Sequence, residues 1–239
     1  MKKLTRVLSG VLAGLMVLGL AACGGTSAAP TAATAAPATT AAAPAEDTTA
    51  AAALDADVQA IVDRGVLRVG VKNAVLGFGY QDPITGEYSG MEIDLANALA
   101  AQLGVDVEFT TVTAATRTEL LDSGDIDCVL ATFTITEERK QSWDFTTPYY
   151  TDHVTVLVED ASGIKTLADL KDKLVGVSSG STSARALTAA MIDAGVIDGA
   201  GFDKETFDPA TWKNGISFQQ FDDYPGISTA LAAGQVDAF

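Results

Sequence analysis

Strand-like and helix-like segments alternate along the chain after residue 54, and this alternation constrains the fold more than any other feature. Residues 66–71 form an apolar run typical of a buried strand. Residues 91–103 carry apolar side chains at helical spacing and lead to Gly104, a residue type that often ends a helix. Residues 105–110 then alternate between apolar and polar side chains, as a half-buried strand does. This β-α-β order predicts an α/β fold in which helices cover a mostly parallel sheet.

The second half of the chain repeats this plan. Residues 173–177 are predicted to form a strand, residues 181–194 a helix and residues 216–221 a further strand. We therefore expect two α/β lobes, the first over residues 54–151 and the second over residues 152–239. The other predicted elements are a helix closed by Gly65, a hairpin at Thr85–Glu87, a short helix over 116–123, strands over 127–132 and 154–158, and a helix from Asp223 to Gly234.

Two segments of the second half do not fit a complete repeat. Residues 195–215 show no periodicity, and we expect a long polar excursion there. The last residues, Val236–Phe239, resemble the opening of an apolar core strand. Because such a strand would have no room to pair, we expect the chain to be truncated relative to its fold and the second lobe to be incomplete.

The first 23 residues are predicted to be an export signal. Cations at positions 2, 3 and 6 precede an apolar stretch of 14 residues, which is shorter than the ~20 residues of a membrane-spanning helix. The next residues, Leu20-Ala21-Ala22-Cys23, resemble a bacterial lipobox, in which the cysteine becomes the lipidated first residue. The alternative is an ordinary secretory signal that is cleaved after an Ala-x-Ala-like site. We expect an exported protein that Cys23 anchors to the outer face of the bacterial cytoplasmic membrane.

A low-complexity segment separates this signal from the globular part. Residues 24–53 contain 15 Ala, 7 Thr and 3 Pro and almost no large apolar side chain. Such a composition buries too little surface to offset the entropy of ordering the chain. An Ala-rich helix is the alternative, but prolines at seven-residue spacing interrupt it. We expect a disordered tether that reaches roughly 30 Å as a flexible coil.

The charge balance and the scarcity of histidine and cysteine exclude several classes of protein. With 15 Lys and Arg against 31 Asp and Glu, the formal charge is −16, which disfavours binding to nucleic acid. A single histidine, His153, excludes a histidine-rich metal site. The two cysteines, Cys23 and Cys128, lie 105 positions apart and form no disulfide scaffold. Cys128 lies within an apolar strand and is expected to be an inert buried thiol.

A serine-rich turn precedes the predicted helix of the second lobe. Residues 176–180 match the G-x-S-x-G pattern of serine hydrolases between a strand and a helix. A hydrolase of that kind needs a histidine after the serine, and His153 precedes it, so we do not expect catalytic residues. Backbone N–H groups at the helix start, with several hydroxyl groups, predict instead a cradle for a carboxylate or phosphate. The alternative is a serine-rich N-cap alone. The hydroxyl groups belong to Ser179, Ser181, Thr182 and Ser183.

Three cations follow predicted strands of the first lobe. Lys72 comes directly after the first strand, and Arg117 and Arg139 follow the next two. Ligands of open α/β sheets bind outside the carboxyl ends of the strands, so these cations are expected on one ligand-binding edge. In an acidic protein such a grouping predicts an anion site; the alternative is that each cation is a solvated surface charge. The other arginines of the globular part, Arg64, Arg68 and Arg185, are expected at the surface.

Five segments carry a specific set of motifs. They are VGVKN at 69–73, SGMEIDL at 89–95, ATFTITEERK at 131–140, DFTTPYY at 144–150 and GSTS at 180–183. In this order and spacing they resemble the polar amino-acid-binding proteins of ABC importers, over about residues 66–192 and again over 216–239. The branch that is most similar is that of the glutamate and aspartate binders, which carry Gly-Val-Lys and Thr-Arg at the positions of Lys72 and Arg117.

The resemblance implies a two-lobed periplasmic-binding-protein fold of type II, which closes on one amino acid. It implies that Arg139 makes a bidentate pair with the ligand α-carboxylate. The hydroxyl of Thr134 and the backbone of Thr132 would complete the contacts from the first lobe. Ser181 and Thr182 would close on the same carboxylate from the second lobe.

The resemblance also implies which residues contact the side-chain end of the ligand. Lys72 and Arg117 would bind the side-chain carboxylate. Phe78 and Phe133 are candidates for apolar walls; the alternative is that either is an ordinary core residue. In the family an Asp a few residues beyond the segment equivalent to Val236–Phe239 binds the ligand ammonium group, and this sequence does not include it.

The implied activity is capture and delivery of one small ligand, with no cofactor and no metal. A monomer would close about a hinge near residues 150–154 and dock on a membrane permease that a partner ATPase drives. Three alternatives stay open. The same fold serves as the sensor domain of receptors, it binds other polar amino acids such as glutamine, histidine or arginine, and it serves rare cyclohexadienyl dehydratases. A secreted adhesin that keeps the fold is a further possibility.

Overall fold

The described part of this computed structural model covers residues 54–239. The predicted signal peptide with its lipobox Cys23, and the predicted tether over 24–53, lie outside the described residues. The helices are α1 (Ala56–Arg64), α2 (Met91–Leu103), α3 (Arg117–Asp122), α4 (Ser183–Asp193) and α5 (Tyr224–Ala232). The strands are β1 (Val66–Val71), β2 (Ala74–Val75), β3 (Gly79–Gln81), β4 (Tyr88–Ser89), β5 (Asp106–Thr111), β6 (Cys128–Leu130), β7 (Leu174–Ser178) and β8 (Ser217–Phe221).

The first lobe contains a three-stranded parallel sheet in the order β5-β1-β6. The central strand β1 is the most buried of the three, with Val69 and Val71 fully enclosed. Helix α2 packs its apolar side against this sheet and ends at Gly104, whose φ of 71° is the left-handed conformation that glycine adopts readily. The β-α-β order predicted from the apolar pattern is therefore confirmed in this lobe.

A small antiparallel sheet of β2, β3 and β4 lies beside the start of α2. Its β3–β4 turn is closed by Asp82, whose N–H donates to the carbonyl of Glu87 at 2.9 Å, which confirms the predicted hairpin. Gly90, at the start of α2, has φ 124°, and a Cβ there would lie only 2.2 Å from the carbonyl oxygen of Phe78. Glycine is therefore required where the hairpin meets the helix.

The second lobe is built on the parallel pair β7 and β8, with α4 and α5 packed against it. Its core includes the fully buried Met191 and Ile216. Helix α5 starts as predicted, because the Asp223 carboxylate accepts a hydrogen bond from the N–H of Gly226 at 2.8 Å and Pro225 lies in the first turn. Strands and helix of this lobe thus follow the predicted order.

The strand that we expected over residues 154–158 is not formed. Val156 and Val158 pack partly buried against the second-lobe core, as their alternation suggested. The backbone, however, pairs only at Leu157, which exchanges two hydrogen bonds of 2.7 and 2.8 Å with Phe239. Of the three alternating valines, Val156 and Val158 pack inward while Val154 is exposed, so the expectation of a regular strand was wrong.

The last residues pair with the sheet, contrary to the expectation that they had no room to do so. Ala238 forms a parallel bridge with Val175 and accepts a hydrogen bond from the N–H of Gly176 at 2.8 Å. Val236 and Ala238 are both buried. The segment fits because β7 offers it the edge that lies opposite β8.

Residues 195–215 contain no helix or strand, as predicted. They are not purely polar in their packing, since Phe202, Phe207 and Trp212 stack on one another. Phe207 and Trp212 also pack against the second-lobe core. Within residues 54–239, no helix has the length and apolar character needed to cross a membrane. No group of three potential metal ligands occurs among these residues either.

Candidate functional site

A cavity of about 310 Å³ lies where the two lobes face each other. Six of the sequence-predicted site residues line it, four from the first lobe and two from the second. Asp152 is the one acidic residue among the described residues that line it. The six predicted residues are Lys72, Arg117, Thr132, Thr134, Ser181 and Thr182.

Lys72 directly follows β1 and is buried, with 8% of the residue exposed. The end of a central strand carries its side chain to the sheet edge, as the sequence suggested. Burial, with the positive charge of Arg117 as a second cause, lowers the pKa of Lys72 to about 8. Lys72 is therefore a cation at neutral pH whose charge is easily lost on mild alkalinisation.

Arg117 is the first residue of α3 and is only 3% exposed. Its Nη1 donates to the carbonyl oxygens of Ala131 at 2.8 Å and Thr132 at 3.3 Å, while its buried Nε has no hydrogen-bond partner within the described chain. Burial and the nearby Arg139 lower the pKa of Arg117 to about 10, so it stays charged at neutral pH. A buried cation with a donor to spare is equipped to bind an anion.

Arg139 lies beside this cavity rather than in its lining. It borders a neighbouring cavity of about 240 Å³, which Ser181 and Thr182 also border. Its guanidinium donates to the carbonyl of Thr134 at 2.8 Å and, across the lobes, to the carbonyl of Gly180 at 3.1 Å. Arg139 therefore bridges the loop that follows β6 and the turn that precedes α4.

The two predicted aromatic walls lie elsewhere. Phe78 and Phe133 line a third, largely apolar cavity of about 490 Å³ on the first lobe and do not line the cavity between the lobes. The Phe133 ring lies under both guanidinium groups, 4.0 Å from Arg117 and 4.4 Å from Arg139. Phe133 thus makes cation–π contacts with both arginines.

The turn before α4 packs closely against the first lobe. Gly180 has φ 73°, and a Cβ there would lie 2.7 Å from the carbonyl oxygen of Ala114 in the first lobe. The Thr182 side chain makes no capping hydrogen bond, so its hydroxyl is available to the cavity. The hydrolase alternative has no support, since Ser178 and His153 border different cavities.

The remaining arginines are held more firmly than expected. Arg64 and Arg68 both pair with Asp127, and they keep partly exposed side chains. Arg185 was expected at the surface, but its side chain is only 24% exposed and bonds to Glu138 of the first lobe at 2.9 Å. Its Nη1 also donates to the carbonyl of Lys204 at 2.7 Å, which holds it against residues 195–215. Arg185 thus lies partly exposed at the surface, as Arg68 does, but an ion pair ties it to the first lobe.

Sequence reasoning missed four residues at or beside the cavity: Asp152 and Tyr224, which line it, and Glu92 and Tyr149, which lie next to it. Glu92, in the first turn of α2, is fully buried and accepts hydrogen bonds from Thr132 and Tyr149. Tyr224, the first residue of α5, lines the cavity itself. Glu92 and Tyr149 lie within two of the motif segments, which is the signal that could have identified them. Cys128 is a free, partly buried thiol, and burial raises its pKa to about 11; its inertness stays a prediction.

The sequence matches the model of the bacterial extracellular solute-binding proteins, family 3, over residues 67–199. The chain belongs to this family. The two-lobed α/β fold predicted from the sequence is shown by the match and by solved structures of related proteins. One is an ancestral amino-acid-binding protein, a precursor of cyclohexadienyl dehydratase, which is 32% identical with a TM-score of 0.61 and covers 76% of this chain and 72% of its own.

Two curated members of family 3 are similar to most of the globular part. The glutamine-binding protein of Geobacillus stearothermophilus is 34% identical over 185 residues, which are 76% of this chain and 62% of the relative. The glutamate-binding protein GluB of Corynebacterium efficiens is 30% identical over 188 residues, which are 75% of this chain and 56% of the relative. The matched part of the chain thus spans about three fifths of the length of these family 3 relatives.

Proposed function

We propose that this protein captures L-glutamate or L-aspartate between its two lobes and delivers it to an ABC permease that a partner ATPase drives. One observation carries the proposal: two buried cations, Lys72 and Arg117, line the same inter-lobe cavity. Among residues 54–239, neither forms an ion pair with a carboxylate. Buried charges are costly unless they are paired, so a carboxylate ligand supplies what the cavity lacks.

The α-carboxylate end of the ligand is assigned to the border between the two cavities. Arg139 offers a planar fork that suits a carboxylate, and it already bonds to a carbonyl of each lobe. The hydroxyl groups of Thr134, Ser181 and Thr182 add uncharged donors. Asp152 is the candidate for the ligand ammonium group. Exposed charges are weaker partners than buried ones, so Asp152 is expected to contribute less than Arg117.

L-Glutamine is the second candidate ligand, because one similar relative is a glutamine-binding protein. A neutral amide accepts and donates hydrogen bonds but leaves the charge of Lys72 and Arg117 uncompensated. L-Lysine and L-arginine would place a third positive charge beside these two cations. The electrostatics of the cavity therefore favour an acidic ligand over a neutral one, and a neutral one over a basic one.

The ligand is tested by titration of the full chain with L-glutamate, L-aspartate, L-glutamine and L-lysine. Isothermal titration calorimetry gives the affinity. Trp143 gives an independent fluorescence signal, because its ring lies 6.1 Å from that of Phe133. We expect saturable binding of an acidic amino acid that is strongly weakened in Arg117→Ala and less weakened in Asp152→Asn. Tight binding of lysine alone would contradict the roles of Lys72 and Arg117.

Delivery and anchoring need separate tests in cells. We propose that Cys23 is lipidated and holds a monomeric protein on the outer face of the bacterial cytoplasmic membrane. Labelled palmitate should enter the wild-type protein and not Cys23→Ala, and the variant should leave the membrane fraction. Uptake of labelled glutamate should depend on the protein. A ligand-induced signal without uptake would favour the sensor alternative, and turnover of a cyclohexadienyl acid would favour the dehydratase alternative.

A further inference from the structure

One buried carboxylate lies close to the inter-lobe cavity but does not line it. Glu92 lies in the first turn of α2 and is 0% exposed. Its Oε1 accepts hydrogen bonds from the N–H of Thr132 at 2.6 Å and from the hydroxyl of Tyr149 at 2.7 Å. Its Oε2 is buried and has no partner within residues 54–239. A buried carboxylate is costly, so this one calls for an explanation beyond packing.

The first partner of Glu92 is a backbone under strain. Thr132 has φ 48°, a left-handed conformation that is uncommon for any residue other than glycine and unfavourable for a β-branched one. In this conformation the carbonyls of Ala131 and Thr132 both accept from Nη1 of Arg117. Glu92 therefore holds the loop that in turn orients the buried guanidinium of Arg117.

The second partner of Glu92 lies next to the crossing between the lobes. Tyr149 precedes the irregular residues 150–159, which lead into the second lobe. Its hydroxyl bond to Glu92 ties that crossing to the same carboxylate that holds Thr132. One oxygen atom thus connects the cavity loop with the segment that must move when the lobes open.

Glu92 also balances charge. The positive charge of Arg117 disfavours the charged form of Lys72. The negative charges of Glu92 and Asp223 favour it. The positive charge of Arg139 disfavours the charged form of Arg117. Glu92, Tyr149 and Tyr224 favour that charged form. Glu92 is the one carboxylate that acts favourably on both buried cations.

We propose that Glu92 is a positioning residue of this site: it fixes the Thr132 backbone that orients Arg117, and it keeps Lys72 and Arg117 charged in a buried cavity. This inference rests on the proposed function only for the identity of the ligand. Glu92 does not touch the ligand, and its effect reaches the cavity through Thr132 and through charge.

The test measures the titration midpoint of Lys72 and, in a separate experiment, the affinity for L-glutamate. The full chain is labelled with 13Cε-lysine, and the Lys72 signal, identified by its absence in Lys72→Arg, is titrated without ligand from about pH 6 to about pH 10. The same proteins are titrated with L-glutamate by calorimetry. The variants are Glu92→Gln, Glu92→Asp and, as a matched control, the exposed Asp94→Asn on the same helix.

We expect Glu92→Gln to lower the titration midpoint of Lys72 and to weaken glutamate binding about tenfold, since it removes one charge and disturbs a buried hydrogen bond. Glu92→Asp keeps the charge but shortens the reach to Thr132, so it should weaken binding with a smaller change of the midpoint. Asp94→Asn should change neither. An unchanged midpoint together with unchanged affinity in Glu92→Gln would overturn the proposal.

Failure of the proposed function gives a different result. If the wild-type chain binds no acidic amino acid and the Lys72 midpoint still falls in Glu92→Gln, the ligand assignment is wrong and the role of Glu92 stands. If Glu92→Gln does not fold, Glu92→Asp and Tyr149→Phe decide the question. Wild-type affinity in both of these folded variants would overturn the positioning role.

Discussion

The two lobes contribute different chemistry to the same cavity. The first lobe brings charge that is buried and held in place, with Lys72 and Arg117 backed by Glu92. The second lobe brings hydroxyl groups and a helix start, at Ser181 and Thr182, and no buried cation among its described residues. The first lobe is therefore suited to select a ligand by its charge, and the second to stabilise the closed form by adding neutral hydrogen bonds.

The largest effect is expected from removal of the buried guanidinium. Arg117→Ala should weaken L-glutamate binding about a hundredfold, because loss of one partner of a buried charge pair costs about 3 kcal/mol. Calorimetry measures the affinity, and thermal unfolding shows whether the variant is folded. Lys140→Ala, which removes an exposed cation of the same lobe, is the matched control and should bind normally. Equal losses in both variants would mean that overall charge, rather than the cavity, governs binding.

The pH dependence of binding should come from the first lobe as well. The pKa of Lys72 lies at about 8, below its ordinary value, so the charged form dominates at neutral pH and is lost as the pH rises through 8. A carboxylate ligand favours the charged form, so affinity for L-glutamate should fall by up to about tenfold per pH unit above this pKa. Lys72→Arg keeps its charge and should remove this decline. Calorimetry across this pH range would contradict the role of Lys72 if both proteins declined alike.

A smaller effect is expected from the second lobe. The double variant Ser181→Ala/Thr182→Ala should weaken binding roughly thirtyfold, since each of the two neutral hydrogen bonds contributes about 1 kcal/mol. The loss should appear mainly as faster release of the ligand, measured by stopped-flow Trp fluorescence. A loss of affinity as large as that of Arg117→Ala would mean that the second lobe contributes as much to ligand binding as the first.

The smallest effect is expected where the lobes meet through exposed charges. Glu138→Gln removes the ion pair with Arg185. The Glu138 side chain is 57% exposed. Exposed ion pairs contribute about 0–1 kcal/mol, so affinity should change no more than about fivefold. The effect should decrease further at high salt, which calorimetry in buffers of low and high ionic strength can measure. A salt-independent loss would indicate a role beyond this ion pair.

The sequence predicted the parts of this molecule that local patterns determine. β1 and α2 follow from apolar spacing, and Lys72 lines the cavity between the lobes because it follows the end of a central strand. Glu92 escaped prediction because an acidic residue in the first turn of a helix is usually solvated, and only tertiary packing buries it here. The ion pair of Arg185 was not predicted either, since its partner Glu138 is 47 positions away and in the other lobe.

Which predicted residues share a cavity also depended on packing between the lobes. The sequence grouped Arg139 with Lys72 and Arg117, and the structure places it at the adjoining cavity. Strand ends fix the edge at which a residue lies, but they do not fix which way a long side chain turns. The strand expected over 154–158 failed for a related reason, because alternation reports a buried face and says nothing about a pairing partner.

The position of Phe133 under two guanidinium groups has a consequence for ligand length. Both Arg117 and Arg139 lie over the same ring, so the ring fixes the spacing between two mutually repelling cations. We expect this spacing to set the distance between the two bound carboxylates of a dicarboxylic amino acid. A smaller side chain in Phe133→Leu should let the arginines shift, and the ratio of the L-glutamate and L-aspartate affinities would record the change. An unaltered ratio would mean that the distance between the two cations is set elsewhere.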